Sequence, residues 1–182
     1  MAVSPRLHFD FGRIAPALLL SVLLGIGAGA AFAQDDPAAL TTTCNFDQDK
    51  QLVLQYQHVP IIPKRPLSLQ IPFGKVWAPG GKPMTLFTNT AVEIGGTRLP
   101  IGAYTMFVIP NARQWTLIIS KSTQTSGAYD DQQDMVRLQM EAGELPSPEP
   151  EFRVSFAHIA ANQCSIRVDM DKFGHFAIFQ EK

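Results

Sequence analysis

The sequence predicts an all-β fold, an antiparallel β-sandwich or jelly roll, formed by a single domain that follows an N-terminal signal peptide. Three observations predict this fold. Beyond residue 50, apolar and polar residues alternate in most segments, turn residues recur about every ten positions, and no segment has the apolar period of an amphipathic helix of three turns. Short alternating strands separated by frequent turns are typical of sandwiches and jelly rolls.

The first 33 residues have the pattern of a secretory signal peptide. Arg6 and Arg13 precede an uncharged apolar core at residues 14–26, and Ala31-Phe32-Ala33 supplies small residues for cleavage. The alternative is an uncleaved membrane anchor, because the uncharged run of residues 14–33 is just long enough to span a bilayer. Cleavage predicts an exported protein, periplasmic or secreted, whose mature chain has no membrane span.

After the signal peptide we expect a polar N-terminal segment at residues 34–50 and then the β-sandwich domain at residues 51–182. A chain of this size buries a core of its own. Its 15 Lys and Arg nearly balance its 16 Asp and Glu, for a net charge of −1. Nucleic acid binding requires a strongly basic face, and so does electrostatic attachment to a membrane, so the balance argues against both as partners.

Cys44 and Cys164 are the only two cysteines of the chain. Export to an oxidising compartment favours a disulfide between them, which would fix the polar segment to a strand near the C-terminus. The alternatives are two free thiols, or a dimer linked through one of them.

Period-two patterning predicts a succession of strands and two long loops. The strands are expected at residues 51–58, 84–88, 91–94, 97–99, 103–109, 114–120, 136–140, 152–156, 166–170 and 175–179. The loops are expected at residues 123–134 and at the Pro- and Glu-rich residues 141–151.

Paired glycines predict a hairpin in detail. Gly95-Gly96 supplies the positive φ angles of a two-residue turn. That turn places Ile94 opposite Thr97, Glu93 opposite Arg98, and Val92 opposite Leu99. The apolar pair then lies on one face and the opposite charges lie on the other, as a half-buried hairpin requires.

The next turn leads into a strand that is apolar on both faces. Pro100 and Gly102 occupy the second and fourth positions of a type I turn. In the strand that follows, Tyr104, Met106 and Val108 alternate with Thr105, Phe107 and Ile109. We therefore expect residues 103–109 to form a central strand.

These motifs resemble those of a bacterial family of exported proteins, domain of unknown function 2911. The resemblance is carried by "PFGKVWAPGGKPMTLFTNTAVEIGGTRLPIGAYTMFVIP" (residues 72–110) and by the later "QWTLIISK" and "GAYDDQQD". It implies a secreted β-rich domain with no established activity. One segment departs from the family pattern, because Ala78-Pro79-Gly80-Gly81-Lys82-Pro83 stands where Arg-Thr-Gly-Ala-Asn-Glu is typical.

Lys75, Trp77 and Tyr104 match the family's polar and aromatic positions and are the candidate ligand-binding residues. The two aromatic rings could stack on a sugar or a peptide while Lys75 binds an anion. The alternative is structural: a Trp packed over the edge of a sheet and a Tyr hydroxyl that bonds a turn carbonyl.

Recognisable catalytic and cofactor motifs are missing from the sequence, which has no nucleophile elbow, zinc helix, phosphate loop or dinucleotide fingerprint. We therefore expect no enzymatic activity, no cofactor and no metal. A metal site built from His158, His175 and nearby acids is an alternative, as is calcium binding by Asp130, Asp131 and Asp134.

The leading functional hypothesis is a non-catalytic β-sandwich that binds a small ligand or an envelope protein. The alternative is an envelope polysaccharide hydrolase or lyase that uses carboxylates of the two long loops. Its candidate acids include Glu141, Glu144, Glu149 and Glu151.

Overall fold

A computed structural model describes residues 39–47, 49–126 and 128–182 of the chain. These residues form one β-sandwich of two antiparallel sheets, which confirms the predicted fold class. The signal peptide prediction lies outside the described residues. Within the described part of the chain, we find no helix with the length and hydrophobicity needed to cross a membrane.

The first sheet has six strands in the order β1-β2-β4-β7-β8-β9. The central strand is β7, and it pairs with β4 on one side and β8 on the other, as its two apolar faces predict. The strand bounds are β1 Leu40–Asp47, β2 Lys50–Tyr56, β4 Met84–Thr88, β7 Gly102–Ile109, β8 Thr116–Ser120 and β9 Asp134–Gln139.

The second sheet has five strands in the order β3-β10-β11-β5-β6. Their bounds are β3 Val59–Pro60, β5 Val92–Ile94, β6 Thr97–Leu99, β10 Glu141–Ala160 and β11 Gln163–Glu181. Alternate residues of both sheets point inward. Many of these residues, such as Leu54, Met106 and Phe179, are fully buried between the sheets.

Strand β11 doubles back on itself. A straight strand of 19 residues would be about 60 Å long, yet the Glu181 N–H donates to the Asn162 carbonyl at 2.8 Å. The reversal falls at Asp171, which adopts a left-handed φ of 54° that Asp tolerates better than most residues. The chain therefore turns back between the strands predicted at residues 166–170 and 175–179.

The Pro-rich residues 141–151 are not the loop that the sequence predicts, and this prediction was wrong. They belong to β10, where Glu144 pairs with Phe173 and Glu149 with Asp171. Residues 145–148 fall between those two pairs and pass around the tip of the β11 reversal. This part of β10 leaves the regular ladder of hydrogen bonds. The missing N–H groups of its prolines therefore cost no hydrogen bond, and the prolines are tolerated.

The glycine hairpin has the predicted register. Ile94 pairs with Thr97, Glu93 with Arg98, and Val92 with Leu99. Both glycines have positive φ, 57° at Gly95 and 77° at Gly96. Local turn chemistry and face alternation were sufficient to fix this element.

Strand β1 was not predicted by the sequence analysis, since it lies inside the segment described as polar, residues 34–50. Cys44 and Phe46 face inward and are buried, and β1 pairs along its length with β2. Cys44 of β1 is bonded to Cys164 of β11, with their Cα atoms 6.2 Å apart. The predicted disulfide is confirmed, and it joins the two sheets.

The other predicted loop crosses the outer face of the first sheet between β8 and β9. The Thr105 N–H and hydroxyl both donate to the Ser122 carbonyl, and the Phe107 ring meets the Tyr129 ring edge-on at 5.1 Å between centroids. Phe107 and Ile118 are consequently buried although they point away from the sandwich core.

Candidate ligand-binding site

Tyr104 is a buried residue of β7 whose hydroxyl donates to the Pro100 carbonyl at 2.6 Å. Burial raises the pKa of this hydroxyl, so it is protonated at neutral pH and able to donate. Its contacts match the structural alternative considered for it, because the side chain holds the turn that leads into β7.

Trp77 is half-buried and extends the first sheet beyond β4. Its N–H donates to the Val108 carbonyl at 2.8 Å, and its carbonyl accepts from the Val108 N–H at 3.1 Å. The indole meets Phe152 and Trp115 edge-on, at 5.3 and 6.3 Å between centroids. Lys75 lies two residues earlier and is exposed.

Lys75, Trp77 and Tyr104 do not line any of the cavities described below. They remain candidates for ligand binding from the sequence alone.

At one end of the sandwich, a cavity of about 360 Å³ opens beside Trp115, and we call it the end cavity. Four elements converge on it: the 3-10 turn at Leu67–Leu69, the segment that precedes Lys75, the β7–β8 turn, and the reversal of β11. Its wall is mainly apolar and aromatic, with a few polar groups. The lining residues are Leu67, Ser68, Phe73, Asn111, Ala112, Trp115, Asp171 and Phe173.

Local structure holds these walls in place. The Gly74 N–H donates to the Pro110 carbonyl at 2.8 Å, which fixes the segment carrying Phe73 against the β7–β8 turn. The 3-10 turn is closed by the Leu69 and Gln70 N–H groups, which donate to the carbonyls of Pro66 and Leu67. These hydrogen bonds hold two walls of the end cavity in place.

His175 supports the floor of the end cavity from beneath. It is buried, at 2% exposure, and its ring stacks on Trp115 with 5.0 Å between centroids and 20° between planes. Burial lowers the pKa of His175 to about 4, although the carbonyls of Arg113 and Val168 act in the opposite direction. The imidazole is therefore neutral at pH 7.

Polar groups lie at the mouth of the end cavity. Asn111 and Ser68 are exposed there, and the half-buried Asp171 supplies the one charged side chain of the lining. An apolar wall with a few oriented polar groups is the usual composition of a small-molecule site. The carboxylate favours a ligand with a hydrogen-bond donor or a positive charge.

The histidines are separated. His158 is exposed and pairs with Cys164 at the far end of β10, whereas His175 is enclosed next to Trp115, and His58 bonds Glu151 at 2.7 Å. Among the described residues, no three His, Cys, Asp or Glu side chains are grouped closely enough to hold a metal ion.

Loop carboxylates that the sequence suggested for catalysis are mostly engaged in structural contacts. Asp134 accepts from Tyr129 at 2.5 Å and from Arg137 at 3.0 Å, and Asp130 accepts from the Gln132 N–H. Glu149 pairs with Arg153 and Glu151 pairs with His58, whereas Glu141 and Glu144 are exposed.

A family model described as Protein of unknown function (DUF2911) matches residues 37–175. The chain belongs to this family. The match includes all three segments that carry the resemblance and ends at His175. No curated protein and no solved structure matches the chain significantly.

The sequence analysis missed the residues that line the end cavity. Phe73 and Trp115 both lie in quoted family motifs, but their contribution to one cavity depends on contacts between segments that are about 40 residues apart. Phe173 and Asp171 come from the β11 reversal. The one available signal was the aromatic content of the motifs, which does not distinguish a cavity wall from a core.

Proposed function

We propose that this protein is a non-catalytic, exported ligand-binding domain, and that its ligand is a small, largely apolar, ring-containing molecule bound in the end cavity. The observation that carries the proposal is the preformed aromatic wall of Phe73, Trp115 and Phe173, which has the half-buried Asp171 at its mouth. The volume of about 360 Å³ is at the lower end of the range for small-molecule sites, about 300 to 1,000 Å³.

The chemistry of the lining supports the ligand class. Phe73 and Phe173 offer partly exposed aromatic surface to the cavity, and burial of an apolar ring against that surface is favourable. Asp171 would accept a hydrogen bond from an amino or hydroxyl group and would repel a carboxylate.

Export is supported by the disulfide. A bond between Cys44 and Cys164 persists in oxidising compartments such as the periplasm or the exterior of the cell.

Absence of enzymatic activity is part of the proposal. The loop carboxylates that a hydrolase or lyase would need are held in ion pairs, as with Glu149 and Asp134, or are exposed to water, as with Glu144.

The chain provides its own optical probe for a binding test. It contains two tryptophans, Trp77 and Trp115, so Trp77→Phe leaves only the one that lines the cavity. Titration with cyclohexylmethylamine, cyclohexylmethanol and cyclohexanecarboxylate should change the Trp115 emission. We expect the amine to bind at least as tightly as the alcohol, and the carboxylate to bind most weakly.

A filling variant tests the location. Ala112→Phe on the rim should weaken binding about tenfold, equivalent to about 1.4 kcal/mol. The matched control is Ala161→Phe, an exposed alanine in the turn between β10 and β11 at the opposite end of the second sheet. Equal affinity in both variants, or no emission change with any of the three compounds, would contradict the proposal.

A further inference from the structure

A second concave surface lies on the outer face of the first sheet, between residues 76–83 and the loop at residues 121–133. Three adjoining cavities of about 310, 160 and 160 Å³ form it, and we call it the outer groove. The middle cavity shares Tyr129 and Phe107 with the largest one and Thr125 with the third, while Pro83 borders all three. None of its lining residues lines the end cavity.

The lining of the outer groove is polar but nearly neutral. Hydroxyl and amide side chains predominate, among them Ser126, Gln124 and Thr125. The charged lining residues are Asp130 in the largest cavity and Lys82 in the third, one of each sign. A surface of this kind favours a neutral ligand rich in hydrogen-bonding groups over an anion or a cation.

Two aromatic rings interrupt this polar surface. Phe107 and Tyr129 meet edge-on at 5.1 Å and border both the largest and the middle cavity. A sugar ring has an apolar face of C–H groups surrounded by hydroxyls, so aromatic surface set among hydroxyl and amide groups suits both parts of it.

The third cavity contains a polar atom without a partner. Gln57 lines this cavity, and its side-chain oxygen is buried with no hydrogen bond among the described residues. A buried acceptor left unpaired costs free energy, so this oxygen marks a strained polar contact next to the third cavity. The backbone of Gly80 packs closely against Gln57. A Cβ added at Gly80 would lie only 2.4 Å from the Cβ of Gln57.

The loop that borders the outer groove is held by hydrogen bonds near each of its ends. The Thr105 hydroxyl donates to the Ser122 carbonyl at 2.9 Å, and the Ser122 N–H donates to the Ser120 hydroxyl. Near the other end of the loop, the Tyr129 hydroxyl donates to Asp134 and accepts from Arg137 at 2.7 Å. These hydrogen bonds fix the two ends of the loop next to the first sheet.

From these observations we propose that the outer groove binds a neutral oligosaccharide, such as a segment of a neutral polysaccharide chain. The ligand is a chain rather than a single sugar because the three cavities are continuous. This site is independent of the end cavity, so either assignment can fail without the other.

Calorimetric titration of the full-length protein with defined sugars tests the assignment. The probes are maltohexaose, cellohexaose and chitohexaose as neutral chains, their disaccharides, and a hexamer of uronic acids as the acidic chain. We expect at least one neutral hexamer to bind more tightly than its disaccharide and than the acidic hexamer. If no neutral hexamer binds, or if the acidic hexamer binds as well, the proposal is overturned.

Two variants with matched controls locate the binding. Gln57→Met removes the amide group from the lining of the third cavity while keeping the length of the side chain, and should weaken the hexamer about tenfold. Gln139→Met, at an exposed position of β9, should have no effect. Ser126→Trp should block the groove, whereas Ser147→Trp on β10 should not.

Unchanged hexamer affinity in both Gln57→Met and Ser126→Trp would place the sugar elsewhere and overturn the proposal. Thermal unfolding of each variant in the absence of sugar shows whether a lost affinity reflects lost folding. The end-cavity filling variant Ala112→Phe should bind the hexamer normally, which separates the two sites.

Discussion

His175 is a single buried polar residue that makes the stability of this protein depend on pH. Its imidazole has no access to water and stacks on Trp115, so the neutral form is the one compatible with the fold. The unfolded chain has a histidine with the ordinary pKa of 6.5, whereas burial lowers the folded value to about 4. Between these two values the unfolded state therefore binds more protons than the folded state.

We expect the free energy of unfolding to be highest above pH 6.5 and to fall by up to about 3 kcal/mol as the pH decreases to 4. Asp169 acts in the opposite direction, because burial raises its pKa and acid then favours the folded state. Denaturant unfolding at pH 7 and pH 4.5 measures the sum of these effects.

Comparison with His175→Phe isolates the histidine. This variant keeps a ring against Trp115 but cannot be protonated, so its stability should depend less on pH. His158→Gln, at an exposed position, is the control and should behave as the unmodified protein. An identical pH dependence in His175→Phe and the unmodified protein would show that His175 is not the responsible group.

At the scale of elements, the parts that were predictable from the sequence are those set by neighbours along the chain. Gly95-Gly96 fixed a hairpin and its register because only glycine adopts two successive positive φ angles easily. Apolar residues on both faces of residues 103–109 predicted that β7 is a central strand of its sheet.

Elements set by distant contacts were not predictable. Residues 145–148 look like a loop because of their prolines, yet they pass the tip of the β11 reversal as part of β10. On the inward face of strand β1, Thr42 interrupts the apolar series of Leu40, Cys44 and Phe46, so its own pattern is weak. The end cavity needs four segments to meet, and no single segment contains that information.

The turn at Pro79–Gly81 provides a prediction at this scale. Gly80 and Gly81 both have positive φ, 74° and 84°, so Ala at either position should cost about 1 to 2 kcal/mol in backbone strain. Gly80→Ala should cost about 1 to 3 kcal/mol more, because its new methyl group would overlap Gln57 whereas that of Gly81→Ala would meet open space. Chemical denaturation of the two variants measures this difference directly, and equal stabilities would be inconsistent with the close contact.

At the scale of the whole molecule, the disulfide is the covalent link between the two sheets. It joins strand β1, which is the edge of the first sheet, to β11 in the interior of the second sheet, across a separation of 120 residues. Closing so long a loop restricts the unfolded chain strongly in the chain-entropy account.

Replacing both cysteines, as Cys44→Ala/Cys164→Ala, should lower the free energy of unfolding by about 2 to 5 kcal/mol. Both positions are buried, so the small alanines also leave some space unfilled. Reduction of the unmodified protein before denaturation serves as the control, since it breaks the bond without changing the packing residues. Unfolding midpoints that do not move in either experiment would contradict this role.

The edges of the two sheets are also in contact with each other. On one side the Phe156 N–H donates to the Thr42 hydroxyl at 3.1 Å, and on the other Leu138 of β9 lies directly beneath Gly95 at the β5–β6 turn. An extended peptide from another molecule would have to displace these contacts before it could pair with either edge. Concentrated solutions of the folded protein should accordingly resist the stacking of copies into fibrils.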